Sequence, residues 1–476
     1  MENNIKLATK CGDIIGLQKN NHLEFLGVKY ANANRFEYCT LIDNWSQVTQ
    51  ADNVSEDNLH RLDETGTYLA THHGDACIQK RIWYEHLEHP VRRFYHKEFR
   101  ENIEYHYSED CLNLDIYTPS EVKKDSNYPV IVFIHGGGFD SGCNYDTAID
   151  GSNLAQKGVI CVSINYRVGI FGYLTHQEIY DKYGRQGNFG LDDQFMALKW
   201  IKENISAFGG DNNNITVMGQ SAGAISIQYL VLNEKCKGLF NRVVMMSGAG
   251  LFPKFALPRK ASSTNEYWDD LIKTMGLNSF EELKSADPKA IFDALEILKG
   301  RRKDNTYNTM PVVDGYLIEA PVDTIINKPL NLDYMIGYTN NDMYASIMAH
   351  IGNKFAKSVG AYVYYFDIDT PGKDDNRAFH SSDIRYIFGT LNKSHRLYKA
   401  GDYMASELMM NYLVAFAKKG DPNHEDSPTW IPAGNKPLHL IRKRENIDMG
   451  KPNQLKLLYN TLFKGDPKDL DVTTDK

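Results

Sequence analysis

Gly219-Gln220-Ser221-Ala222-Gly223 sets a serine among small residues, directly after the apolar run Ile215-Thr216-Val217-Met218. A Gly-x-Ser-x-Gly pentapeptide in that context reads as a tight strand-to-helix turn that lifts the serine hydroxyl clear of the backbone. The flanking positions are small because a larger side chain would collide with the neighbouring strand and helix. Serine holds its proton too tightly to attack a carbonyl at neutral pH. An imidazole must take that proton, and a carboxylate must orient and stabilise the imidazolium. The attacked carbonyl becomes an oxyanion, which needs N–H donors already in place. The turn supplies one, the N–H of Ala222. The run His135-Gly136-Gly137-Gly138-Phe139, after the apolar Val130–Ile134, supplies others at Gly137 and Gly138, where glycine lets the backbone approach the oxygen.

Position alone leaves the base and the acid open. Fifteen histidines compete for the first role. His135 precedes the glycines and reads as ordering that turn rather than as the base. His380 lies in Phe379-His380-Ser381-Ser382-Asp383, a polar stretch after the apolar Tyr362–Phe366. Open α/β sheets place their sites in loops at the carboxyl ends of strands. Asp342 also follows an apolar run, in Gly337-Tyr338-Thr339-Asn340-Asn341-Asp342. Asp314 and Glu319 are its rivals, and a turn-forming aspartate is the plainer account. Serine, aspartate and histidine then come in that chain order.

These residues need a scaffold. Strands are expected at Val130–Ile134, Val159–Ile164, Ile215–Met218, Arg242–Met246, Tyr334–Ile336 and Tyr362–Phe366, alternating with helical patterns. That alternation is the signature of a mainly parallel sheet. Gln194 to Lys202 reads as an amphipathic helix stopped by Gly209-Gly210, and a further helix is expected from Ala222 to Leu232. Two regions break the rhythm: Ile82 to Tyr107, rich in aromatic residues, His and Arg, and Pro253 to Asn308, with helical patterns of its own. Both read as excursions from the sheet, the second as a helical cap.

Composition narrows the partners. The chain has 476 residues, 42% of them hydrophobic, enough for a substantial core. Its formal charge is −8, and the densest basic run, Lys299-Gly300-Arg301-Arg302-Lys303, reads as a solvated helix end, so nucleic acid is not an expected partner. No stretch reaches the roughly 18 apolar residues of a membrane span. Met1 to Lys6 has no apolar core of a signal peptide, which leads to the expectation of a soluble, cytoplasmic protein. Seven scattered cysteines form no disulfide framework, and no Cys-x-x-Cys or His-x-x-x-His pair points to metal. Neither a metal nor a cofactor is expected.

Ordered motifs along nearly the whole chain resemble the type-B carboxylesterase/lipase family, the α/β-hydrolases that include carboxylesterases and cholinesterases. They are Phe25-Leu26-Gly27-Val28-Lys29-Tyr30-Ala31, Ser108-Glu109-Asp110-Cys111-Leu112-Asn113-Leu114, Asn165-Tyr166-Arg167-Val168-Gly169, Gly187-Asn188-Phe189-Gly190-Leu191-Asp192-Asp193-Gln194, Phe208-Gly209-Gly210-Asp211, the serine pentapeptide, and Phe416-Ala417-Lys418-Lys419-Gly420-Asp421-Pro422-Asn423. The resemblance implies one α/β-hydrolase domain over residues 1–476, with a mostly parallel twisted sheet flanked by helices and cap insertions around 82–107 and 253–308. It implies a bacterial-type intracellular carboxylesterase acting on small-molecule carboxylic esters. Ser221 is then the nucleophile, His380 the base, and Gly137, Gly138 and Ala222 the oxyanion donors. The family's usual acid is a glutamate followed by glycine, whereas the matching position here is Asp342 followed by Met343. Aspartate's shorter arm requires a slightly closer backbone.

The resemblance further implies buried ion pairs Arg167–Asp193 and Arg35–Glu109. It also aligns Cys77 and Cys111 with a pair bridged in secreted relatives, and free thiols are the expectation inside a cell. His380 lies only 38 positions after Asp342 (380 − 342), where relatives carry a considerably longer helical segment, which suggests a more open mouth. Cleavage of amides, thioesters or carbamates by the same triad is the alternative chemistry. A non-catalytic binding module is a remoter one, because Ser221, His380 and the glycine turn are all intact.

Overall fold

The computed structural model describes residues 3–448, apart from the stretches 49–60, 82–89, 124–125, 251–256, 303–308, 322–325, 327, 343–344, 373, 375, 426, 433–437 and 444–445. Twelve strands run along one sheet: β1 (Asn3–Thr9), β2 (Gly12–Gln18), β3 (His22–Lys29), β4 (Asn113–Pro119), β5 (Tyr128–Ile134), β6 (Ile160–Ile164), β7 (Gly210–Gln220), β8 (Arg242–Met246), β9 (Asp333–Thr339), β10 (Tyr362–Asp367), β11 (Leu438–Lys443) and β12 (Asn446–Asp448). Their spatial order is β1-β2-β3-β4-β6-β5-β7-β8-β9-β10-β11-β12, and the short strand Tyr68–Leu69 pairs with β2. From β6 to β11 every pairing is parallel. The pairings from β1 to β6, and that of β12 with β11, are antiparallel.

The six strands expected from the sequence are six consecutive members of the parallel half. They are legible because both of their faces are covered, which makes them continuous apolar runs. Alternate residues serve opposite cores. In β5, Val130, Val132 and Ile134 join one cluster, while Ile131 and Phe133 join the other. The same period of two places Val243 and Met245 of β8 on the first side and Val244 and Met246 on the second.

Helices fill the two faces. Helix α1 (Pro90–Phe99) belongs to the first excursion, α2 (Phe189–Asn204) contains the expected amphipathic stretch, and α3 (Ala222–Leu230) leaves the serine. Leu191, Phe195, Leu198 and Ile201 of α2, with Ala224 and Ile227 of α3, pack on the first face. The second excursion holds α4 (Asn265–Thr274), α5 (Phe280–Lys284) and α6 (Pro288–Arg301). It forms its own apolar cluster, in which Trp268, Leu271, Leu283, Ile291 and Leu295 pack with Phe36, Phe171, Leu174 and Phe189. Helix α7 (Ala345–Val359) follows β9, and α8 (Asp383–Phe388) and α9 (Ala400–Lys419) close the second face through residues such as Tyr386, Phe388, Leu413 and Phe416. Parts of both expected insertions, residues 82–89, 253–256 and 303–308, lie outside the described residues.

Candidate active site

Strand order reverses at β5. The chain passes from β5 to β6 on one side, then returns to β7 on the other. Crevices beyond the carboxyl ends of strands at such a reversal are where open α/β sheets bind ligands. Two sequence features sit there. Ile134 pairs with Gly219 in the β5–β7 register, so the glycine turn and the serine turn leave neighbouring strands side by side. A Cβ built on Gly136 would stand 3.0 Å from Ser221 Cβ.

Ser221 has φ 54 and ψ −120, a left-handed conformation that a non-glycine residue rarely adopts. The turn is over-determined. The Ser221 N–H donates to Met246 O at 2.8 Å, and Ser221 O accepts the first helical bond from Ile225 N at 2.9 Å. A Cβ on Gly223 would lie 2.1 Å from Ile134 O, which is the collision the small residue avoids. Ala222 is the first residue of α3, so its N–H has no helical acceptor. Among the described residues, the N–H groups of Gly137, Gly138 and Ala222 meet no protein acceptor.

Asp342 and His380 meet at the ends of β9 and β10. His380 Nδ1 lies 2.8 Å from each Asp342 carboxylate oxygen. Asp342 is 5% exposed, and Thr339 donates its hydroxyl to Oδ2 at 3.2 Å. Burial opposes charge on the His380 ring, but the Asp342 carboxylate, by its charge and its hydrogen bond, holds the imidazole above its usual value of 6.5. On the other side of the ring, Nε2 faces Gln220 Nε2 at 3.1 Å. Among the described contacts, the imidazole thus meets the serine turn through Gln220, the residue before Ser221.

The rivals fall elsewhere. Asp314 Oδ1 accepts the N–H groups of Tyr316, Leu317 and Ile318, the turn-forming role. Glu319 is half exposed and pairs with Lys235 at 3.3 Å. His135 stacks on Tyr166 with ring centroids 4.3 Å apart, and its Nδ1 lies 2.8 Å from Gly136 O. Burial pushes this imidazole down to about 4. It orders the glycine turn as a neutral ring.

Gln220 and the first excursion are the contributors that sequence reading passes over. Tyr95 of α1 donates its hydroxyl to His380 O at 3.2 Å. Phe94 meets Phe379 edge-on at 4.9 Å. Glu98 of the same helix forms a buried pair with Arg396, N to O 2.7 Å. The aromatic and charged composition of residues 82–107 was the available signal, but it named no partner. At the start of α8, Asp383 accepts the Tyr364 hydroxyl at 2.7 Å, and burial pushes the Asp383 carboxyl up to about 6.

The supporting pairs form. Arg167 grips Asp193 with Nε to Oδ2 at 2.8 Å and Nη2 to Oδ1 at 2.7 Å, both side chains buried. Arg35 chelates Glu109, but this pair is only part-buried rather than buried as expected, with the Glu109 side chain 31% exposed. Cys77 and Cys111 are joined in a disulfide rather than left as the expected free thiols. The parallel pairing of Ala76–Cys77 with Tyr107–Ser108 draws the two segments together, and the Cα atoms stand 4.9 Å apart, within disulfide range.

Comparison with known proteins gives the family. Residues 3–359 and 346–457 match the Carboxylesterase family. Carboxylesterase 5A of Canis lupus familiaris is 28% identical over 464 residues, covering 80% of this chain and 77% of its own length. Para-nitrobenzyl esterase of Bacillus subtilis (strain 168) is 29% identical over 402 residues, 71% of this chain and 79% of its own. A solved PNB esterase structure superposes with a TM-score of 0.76 over 95% of this chain and 98% of its own, at 23% identity, a likeness of fold. No helix among the described residues is long and apolar enough to cross a membrane. The chain belongs to the carboxylesterase family, with its α/β-hydrolase fold, and is an enzyme that hydrolyses carboxylic esters.

Proposed function

We propose that this hydrolysis runs through an acyl-serine intermediate on Ser221. Ser221 Oγ attacks the ester carbonyl as His380 Nε2 takes its proton. The N–H groups of Gly137, Gly138 and Ala222 receive the developing oxyanion. His380 returns the proton to the leaving alcohol, then activates water to release the acid. Asp342 holds the ring with its Nδ1 proton inward and offsets the imidazolium charge. The observation that carries this reading is the 2.8 Å contact of His380 Nδ1 with both oxygens of a buried carboxylate, which leaves Nε2 directed at the serine turn.

One domain spanning residues 1–476, with the excursions 82–107 and 253–308 as caps over the site, belongs to the same reading. The aromatic contacts of α1 beside His380 support the first of these roles. A cytoplasmic location is proposed with it. Five of the seven cysteines are buried and unpaired, as suits a reducing compartment. The Cys77–Cys111 bridge runs the other way, so cells lysed into alkylating reagent decide the location: a disulfide recovered there argues for an oxidising compartment, and modified thiols argue for a reducing one.

The mechanism is tested by initial rates on p-nitrophenyl esters of graded acyl length, wild type against Ser221→Ala. Turnover abolished in a folded Ser221→Ala chain supports the acyl-serine route. Turnover retained by it overturns that route. The optimum along the series sizes the acyl pocket, and a strict preference for the smallest esters would count against an open mouth.

A further inference from the structure

The two nitrogens of His380 are used differently. Nδ1 donates its proton to Asp342. Nε2 is therefore the nitrogen with the lone pair, the one that must accept the proton of Ser221. That lone pair is already occupied, because Gln220 Nε2 lies 3.1 Å away, in donating distance. Gln220 is 3% exposed, so water scarcely competes for the contact. The carboxamide also has a socket. A Cβ on Gly136 would fall 2.8 Å from Gln220 Oε1 and 2.8 Å from Gln220 O. Even an alanine there would press on the amide. With Oε1 lodged against the glycine turn, the donor end of the amide faces the ring.

We propose that Gln220 is a positioning residue for the base: its N–H holds the Nε2 lone pair of neutral His380 between turnovers and yields it to Ser221 when an ester binds. The inference rests on His380 acting as the base for Ser221. Its physical content is a preference for one protonation state. A donor at Nε2 suits only the neutral ring, because protonated Nε2 would set N–H against N–H. Gln220 therefore opposes premature charging of the base. The charged groups that face the ring act in the opposite sense. Asp342 lies across Nδ1, and Asp383 lies on the adjoining helix α8; both favour the imidazolium. Tyr95, from α1, meets only the main-chain oxygen of His380.

The test is the pH dependence of kcat/KM on p-nitrophenyl acetate for wild type, Gln220→Met and Gln220→Glu. Methionine removes the donor at similar length. Glutamate replaces it with an acceptor for the imidazolium N–H. The acid-limb midpoint should rise in the order wild type, Gln220→Met, Gln220→Glu, the first step by about half a pH unit, from the usual net worth of one hydrogen bond. Coincident midpoints, or a Gln220→Glu midpoint below that of wild type, overturn the proposal. Ser221→Ala separates this failure from that of the mechanism beneath it. An active Ser221→Ala chain ends the serine route, whereas an inactive one with coincident midpoints ends only the role of Gln220. Should a variant not fold, the imidazole nitrogen-15 shifts of His380 in the Ser221→Ala chain decide. An Nε2 shift displaced by a donor supports the inference, and that of a free unprotonated nitrogen overturns it.

Discussion

Asn341 and Phe379 pair as a single parallel bridge between the loops that follow β9 and β10. The Asn341 N–H donates to Ala378 O at 2.9 Å, and the Asn341 side-chain amide donates to Asn376 O at 3.0 Å. Asp342 and His380 are the next residues along each loop, so the sheet's register is extended by one residue into the site. The two side chains start from backbones at strand spacing, about 4.8 Å apart in a ladder. That closeness is what an acid with an arm one methylene shorter than glutamate requires.

Asp342 therefore tolerates little change. In Asp342→Asn the carboxamide leaves the Nδ1 proton without its anionic partner and admits the wrong tautomer. We expect kcat to fall by about four orders of magnitude. In Asp342→Glu the extra methylene overfills a buried position and pushes the ring off line, and a displacement of about 1 Å is worth roughly 100-fold. Steady-state kinetics on one p-nitrophenyl ester check both. A fully active Asp342→Asn chain would remove Asp342 from the mechanism.

The pH profile follows from the same pair. The folded protein raises the His380 pKa, because the attraction of Asp342 outweighs the burial that opposes charge. The base works only when neutral. Activity should therefore be full well above the folded pKa and be lost as pH falls through it, with an acid-limb midpoint above the unperturbed value of about 6.5. Removing the carboxylate in Asp342→Asn should move the residual activity's midpoint downward. A profile of kcat/KM that stays flat between about pH 5 and 8 would contradict the assigned base.

Gly137 is held at φ 114, and a Cβ there would lie 1.9 Å from Ser141 O. Both facts demand glycine. Gly137→Ala must swing the turn away from Ser221, taking one or more oxyanion donors with it. The expected loss in kcat is about 100- to 1,000-fold with KM little changed, because the oxyanion exists only after attack. A variant that alters KM and spares kcat would show that this turn binds substrate rather than the oxyanion.

What could be read from the sequence depended on how each element is buried. The parallel strands β5 to β10 are apolar on both faces and stand out as runs. Strand β4 is buried throughout, yet it reads Asn-Leu-Asp-Ile-Tyr-Thr-Pro and passes for a loop. Its polar residues are satisfied inside the core: Asp115 accepts the Gly27 N–H at 2.7 Å, and Thr118 donates to Phe208 O at 3.1 Å. Strands β1 and β2, at the sheet's edge, carry polar residues that face solvent and hide their pattern. At the site, Ser221 and the glycine turn were legible because local geometry demands those residue types. His380 and Asp342 needed the resemblance to be chosen among rivals. The contacts of Gln220 and Tyr95 with His380 span 160 and 285 residues of sequence, a distance over which spacing carries no information.

Arg167 and Asp193 test the division between chemistry and folding. Each is buried, and the guanidinium also donates to Glu37 O at 2.7 Å and lies 5.2 Å from the centre of the Phe189 ring. Removing one partner leaves the other charge buried and uncompensated. Arg167→Met should therefore lower stability to urea by about 3–5 kcal/mol, a large part of the roughly 5–15 kcal/mol that holds a domain together. The double variant Arg167→Met/Asp193→Leu removes both charges and should recover much of the loss, because an apolar pair of similar volume suits the site about as well. The pair does not touch Ser221, His380 or Asp342, so kcat per folded molecule, counted from the p-nitrophenol burst, should stay within a few-fold of wild type in both. A double variant no more stable than Arg167→Met would mean that the arginine's contacts with Glu37 and Phe189, rather than its charge pairing, hold this part of the fold.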